Sequence, residues 1–268
     1  MKPRLLVIPG LDGDPGLLRS AEASLFRAFR PVWFDHRFDT AAGGAEGLAE
    51  RALAVLDRDA EGDTPAFVCG ESFGGTVALT LARMAPERVR GLILLSTFGC
   101  YPSLSSWSGR LGLLVWRVLG DRLARRVLDI WRPLGAPGAL GLRCPTDVRR
   151  AYLKQEPVHL PGYRGKCEIS LRFDARGWLD TLTCPAFVVV GTWDPVVPTR
   201  AGLDLARRLP NARLTRLPGS HLVHVVRAAQ IGTLLGEWVA ELGGVAAPSP
   251  VLRPASPKER GELVVHGR

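Results

Sequence analysis

Apolar positions in this chain gather in short runs. Runs at Arg4–Pro9, Pro31–Asp35, Ala66–Cys69, Gly91–Ser96, Pro185–Gly191 and Ala212–Leu217 read as six strands. The first run is continuous rather than alternating, as expected of a parallel strand buried on both faces. The last alternates, which places it near a sheet edge. Helical spacing fills the gaps: Leu17, Leu18, Ala21 and Leu25 on to Phe29; Leu48, Ala52, Val55 and Leu56 within 45–56; Thr76 to Met84; Arg200 to Leu209; and His221 to Leu242. Strands alternating with helices predict a mostly parallel sheet covered on both faces.

The pattern breaks once. Nearly ninety residues separate the fourth and fifth strands, too many for a structureless loop in a compact domain. Leu111, Leu114, Val115, Val118, Leu123, Val127 and Ile130 recur there at helical spacing, with Arg110, Arg117, Arg122, Arg125 and Arg126 mostly between them. Pro133 and Pro137 interrupt this pattern, and Thr146 is placed to cap a further helix through Leu153, ending before Pro157. The segment 98–170 is therefore expected to form an α-helical cap over the C-terminal edge of the sheet, where open α/β sheets bind ligands. Residues 1–97 and 171–243 form the expected core. The Pro- and Ser-rich stretch 244–268 is expected to be a disordered tail.

Composition narrows the partners. The 268 residues suffice for one α/β core with an insertion, and 46% apolar content supports a packed interior. Net charge is +9, and residues 98–170 carry twelve Arg plus Lys against five Asp plus Glu. Only four of the basic residues are Lys (Lys2, Lys154, Lys166 and Lys258), a skew that reads as codon bias. No aromatic-basic interleaving, helix-turn-helix or zinc-finger pattern accompanies the charge, so nucleic acid is not expected. The basic cap leaves two readings open: a solvated face that follows from the same codon bias, or contact with an anionic membrane surface or an acidic substrate. The five cysteines are odd in number and widely spaced, with no C-x-x-C, so neither a disulfide framework nor a metal site is expected. The first apolar run is too short for a signal-peptide core, and no run is long enough to span a bilayer, which together suggest a cytoplasmic protein.

The candidate chemistry centres on Gly70-Glu71-Ser72-Phe73-Gly74, between a strand and a helix. A serine hydroxyl is a weak nucleophile unless it stands clear of the chain beside a base. A sharp strand-to-helix turn exposes it, and glycines two residues either side remove the Cβ atoms that would collide. Pro9-Gly10-Leu11-Asp12-Gly13 is a glycine-rich loop after the first strand, without the G-x-G-x-x-G or G-K-[ST] pattern of a nucleotide site. It is suited to turning a backbone N–H inward. Of five histidines, His221 follows the last strand and emerges at the same sheet edge as Ser72. His224, one helical turn on and among valines, is its competitor and better suits a core or capping role. His36, His159 and His266 are less well placed. Asp194 follows the fifth strand. As part of Asp194-Pro195 it also suits a simple turn, whereas in the order Ser72, Asp194, His221 it suits the acid that orients the base.

These motifs resemble the α/β-hydrolase superfamily, whose triad runs nucleophile, acid, histidine along the chain. Gly70–Gly74 matches its nucleophile elbow, Gly191-Thr192-Trp193-Asp194 its acid loop and Gly219-Ser220-His221 its histidine loop, over about residues 4–97 and 180–242. The resemblance implies the α/β-hydrolase fold, catalysis by Ser72, Asp194 and His221, and an oxyanion hole made by the backbone N–H groups of Leu11 and Phe73. It implies no cofactor. Two features depart from the family. The leading β-hairpin is missing, and Pro9-Gly10 stands where the oxyanion loop usually has His-Gly. Pro-Gly-Leu-Asp-Gly and Gly-Glu-Ser-Phe-Gly-Gly are also similar to the hydrolase-like half of phytyl-ester and diacylglycerol acyltransferases. The expected activity is cleavage of small-molecule or lipid-like carboxylic esters through an acyl-enzyme on Ser72. The alternatives are acyl transfer to an alcohol and a non-catalytic binding protein.

Overall fold

A computed structural model describes residues 1–59, 61–101, 111, 113–118, 120–129, 140, 144–155 and 157–243. The expected tail lies outside them, as do Arg110, Ile130, Pro133 and Pro137 of the cap. The elements in order are β1 (Arg4–Ile8), α1 (Gly16–Ser20), α2 (Glu22–Leu25), β2 (Arg30–Trp33), α3 (Gly44–Asp57), β3 (Ala66–Glu71), α4 (Gly74–Met84), β4 (Val89–Leu95), α5 (Thr146–Leu153), α6 (Leu160–Arg172), β5 (Ala186–Gly191), α7 (Thr199–Arg208), β6 (Ala212–Leu217), α8 (Val223–Val226) and α9 (Ala228–Gly243). Residues 113–118 and 120–129 are also helical.

The six strands form one sheet in the order β2-β1-β3-β4-β5-β6, and every pairing is parallel. The strands of the middle are buried on both faces, and alternate residues feed two cores. Leu6, Ile8, Val68, Leu92, Leu94, Val188 and Val190 face α3, α4 and α7. Leu5, Val7, Phe67, Cys69, Ile93, Leu95, Phe187 and Val189 face α1, α2 and α9. There the Trp238 ring of α9 meets Phe67 and Phe187 at 5.6 and 5.5 Å. β6 is an edge strand, as its alternation predicts.

Three helical expectations change. The run to Phe29 divides into α1 and α2, because the chain turns at Ala21, whose amide closes a tight turn on Leu18. The run from His221 divides into α8 and α9, with His221 in the turn that precedes α8. α6 is a helix that apolar spacing does not predict, and it runs through the expected boundary at residue 170. His159 caps it, its Nδ1 accepting the Gly162 N–H at 3.4 Å.

The chain leaves β1 toward β2 on one side, while β3 pairs with β1 on the other. This reversal opens a crevice at the C-terminal ends of β1 and β3. The loop 9–13 and Ser72 flank it.

Candidate active site

Ser72 sits at the end of β3 with φ of 52°, in the left-handed region that non-glycine residues rarely occupy. Its neighbours make the turn possible. A Cβ on Gly70 would stand 2.5 Å from the Gly74 oxygen, and one on Gly74 would stand 2.5 Å from the Pro9 oxygen. β4 clamps the turn from the side. The Ser72 N–H donates to the Leu95 oxygen at 2.9 Å, and the Thr97 hydroxyl donates to the Ser72 oxygen at 2.6 Å.

His221 and Asp194 arrive from loops joined to each other. The Thr192 N–H donates to the Leu217 oxygen at 2.9 Å, and the Trp193 N–H to the Gly219 oxygen at 3.0 Å. His221 Nε2 lies 3.0 Å from Ser72 Oγ, and its Nδ1 lies 2.8 Å from Asp194 Oδ2. The second Asp194 oxygen accepts the Val196 and Val197 amides, both at 2.8 Å, which fixes the carboxylate plane. Burial alone would lower the His221 pKa. The Asp194 hydrogen bond and the charges of Asp194 and Glu71 outweigh it and leave the value raised. The three sequence-predicted side chains thus form one continuous hydrogen-bonded line.

The Leu11 and Phe73 amides belong to the two loops that flank Ser72, and among the described residues neither donates to a backbone acceptor. Rival nucleophiles are suppressed: burial pushes the Cys167 thiol up to about 12 and the Cys69 thiol well above its ordinary value. Among the described residues no group of three or more His, Cys, Asp or Glu side chains could hold a metal ion. No helix among them is long and apolar enough to cross a membrane.

Two histidines set aside at the sequence level have identifiable roles. His224 is buried without a hydrogen-bond partner, as a core histidine. His36 does not reach Ser72, but its Nε2–H donates to the Pro9 oxygen at 3.2 Å and its ring stacks on Phe34. Burial holds its pKa down at about 3, so it remains a neutral donor. It braces the loop that carries Leu11. Hydropathy offers no signal for this, because His36 lies beyond a strand on the far side of β1. Glu71 was also missed, although it adjoins the serine.

Residues 5–231 match the model of the alpha/beta hydrolase family. The chain belongs to the α/β-hydrolase family. This α/β hydrolase is 27% identical over 225 residues to the pimeloyl-[acyl-carrier protein] methyl ester esterase of Nitrosomonas europaea, covering 81% of the chain and 87% of the relative. It is 28% identical over 251 residues to the 2-hydroxymuconate semialdehyde hydrolase of a Pseudomonas species, covering 91% and 80%. Among solved structures, the enol-lactonase of Burkholderia xenovorans superposes with a TM-score of 0.70 at 21% identity, covering 90% of this chain and 92% of that one. At that identity the likeness is one of fold.

Proposed function

We propose that this α/β hydrolase cleaves carboxylic esters through an acyl-enzyme on Ser72. The observation that carries the proposal is the 3.0 Å approach of His221 Nε2 to Ser72 Oγ with Asp194 held at 2.8 Å behind it. His221 takes the Ser72 proton as Oγ attacks the ester carbonyl. Asp194 keeps the Nδ1–H tautomer and faces the imidazolium that forms. The carbonyl oxygen becomes an oxyanion held by the Leu11 and Phe73 amides, each worth ~3 kcal/mol of transition-state stabilisation. The imidazolium returns its proton to the departing alcohol, and water repeats the sequence to release the acid. The curated relatives named above are an ester and a semialdehyde hydrolase, which supports a carbonyl substrate.

Residues 98–170 act in this reading as the cap that roofs the crevice. Support comes from α5, whose Val148, Ala151 and Tyr152 pack on the core, and from the Gln155 amide, which donates to Asp12 of the oxyanion loop at 3.1 Å.

A panel of p-nitrophenyl esters from two to sixteen carbons tests the proposal. Ser72→Ala is expected to lower kcat by roughly 10⁴-fold or more, with the best chain length reporting the depth under the cap. A Ser72→Ala variant as active as the wild type would refute it. Ester product formed with added long-chain alcohol would reassign the enzyme to acyl transfer.

A further inference from the structure

The triad leaves one ionisable group beside it unused. Glu71 immediately precedes Ser72 and is only 8% exposed. Its Oε1 lies 4.0 Å from His221 Nε2 and 3.9 Å from His224 Nε2. Both distances exceed a hydrogen bond but fall well within strong Coulomb range for buried charges. On its other side the carboxylate meets the oxyanion loop. The Gly10 amide stabilises its ionised form, and a Cβ on Gly10 would stand 2.6 Å from Oε2. The loop approaches this closely only because residue 10 is glycine.

We propose that Glu71 is a positioning residue, a second carboxylate that faces the His221 imidazolium and, by its close contact with Gly10, holds the oxyanion loop at its working distance. The assignment rests on the ester-hydrolase reading for its kinetic consequence and on geometry alone for its electrostatic one. A buried carboxylic acid is costly to ionise, and an apolar residue at this position would avoid that cost. What the carboxylate offers in return is a negative charge near Nε2, the atom that receives the proton from Ser72. Asp194 acts at Nδ1, on the opposite edge of the ring. The two carboxylates thus bracket the imidazolium as it forms.

The groups facing Glu71 set when it is ionised. Burial pushes its pKa up to about 7. His221 opposes this, Asp12 from the oxyanion loop adds to it, the Gly10 amide opposes it, and Asp194 adds to it. His224 on α8 is kept neutral, because burial and the nearby His221 hold its pKa down at about 3. Cys69, in the same strand, is held as the thiol. Glu71 therefore changes charge near neutrality, in the range where His221 must be unprotonated to accept the serine proton. Each ionisation shifts the other.

The decisive experiment is the pH profile of kcat/KM for p-nitrophenyl butyrate, with an NMR titration of the His221 imidazole in the same proteins. Glu71→Gln removes the charge while keeping the shape. It is expected to move both the acid limb and the His221 midpoint to lower pH by about one unit, as for loss of an opposite charge within 4–6 Å, and to lower the plateau about tenfold. Glu71→Asp keeps the charge and is expected to retain most of the limb position. A fall in the plateau with limb and midpoint unmoved would make Glu71 a packing residue and overturn the proposal. Should Glu71→Gln fail to fold, the wild-type titration decides. Two inflections in the His221 curve are expected, and a single one overturns the assignment. A wild type that cleaves no ester but whose His221 midpoint still moves in Glu71→Gln would refute the substrate reading and leave the Glu71 assignment standing.

Discussion

At the scale of the residue, Asp194 shows how fully hydrogen bonding constrains the site. One oxygen accepts two amides and the other faces His221 Nδ1. An asparagine there must turn its oxygen to the Val196 and Val197 amides, so its NH₂ group meets Nδ1. The histidine then carries its proton on Nε2 and cannot take another from Ser72. Asp194→Asn is expected to lower kcat roughly 10³–10⁴-fold with little loss of thermal stability. Steady-state kinetics beside a thermal melt check this, and a loss under tenfold would remove Asp194 from the mechanism. Sequence alone singled out this residue by its order between Ser72 and His221, since Asp194-Pro195 by itself suits a turn equally well. It separated His221 from His224 by their offset from the last strand, and His221 is the one whose Nε2 lies 3.0 Å from Ser72 Oγ. Glu71 and His36 escaped because their significance lies in contacts across strands, with α8 and with Pro9, which no local pattern encodes.

At the scale of the element, α6 is the informative case. Its sequence, Leu160 to Arg172, carries Pro161, Gly162 and Gly165 and no apolar stripe. Its inner face replaces apolar side chains with close backbone packing. A Cβ on Gly165 would stand 2.7 Å from the Thr40 oxygen, and the Asp39 oxygen meets Gly162 more closely still. Lys166, wholly buried, reaches through to donate to the His36 oxygen at 2.7 Å. The central strands, by contrast, were legible because burial on both faces demands apolar residues at nearly every position. Gly165→Val is expected to lift α6 from the loop after β2, lowering Tm by several degrees. Limited proteolysis should then cut faster within 98–159. Unchanged cleavage would mean that the cap does not depend on this contact. The same helix is tied to the loop that carries Leu11, since His36 holds Pro9 by its ring and α6 by its carbonyl.

At the scale of the whole molecule, the buried ionisable groups dictate a pH optimum of stability. His36 and His224 are each pushed down to about 3 by burial. Below 6.5 the unfolded chain takes up protons that the fold refuses, so their contribution is present above 6.5 and is lost as pH falls toward 3. Glu71 runs the other way. Its folded value is about 7 against 4.5 unfolded, so its contribution is complete below 4.5 and is lost as pH rises through 7. Two groups outweigh one between these limits, and stability should climb up to about pH 6.5. Beyond it Glu71 and the raised His221 remain, and stability should fall. Lys166, pushed down to about 8 by burial, enters only above that pH. Urea midpoints from pH 4 to 7.5 are expected to peak near 6.5, and a midpoint still rising at 7.5 would contradict this balance.

The long connection between β4 and β5 has a consequence for how this hydrolase comes into being. β4 and β5 lie side by side, yet about ninety residues must be looped out before they can pair, a closure that is entropically slow. During synthesis the first four strands and Ser72 emerge early, while Asp194 and His221 arrive only after the insertion. A nascent chain therefore carries Ser72 before the His221 side chain that meets it in the finished fold. The hydrogen-bonded line from Ser72 through His221 to Asp194 cannot close until the last two strands dock, so its assembly and the completion of the sheet are one event.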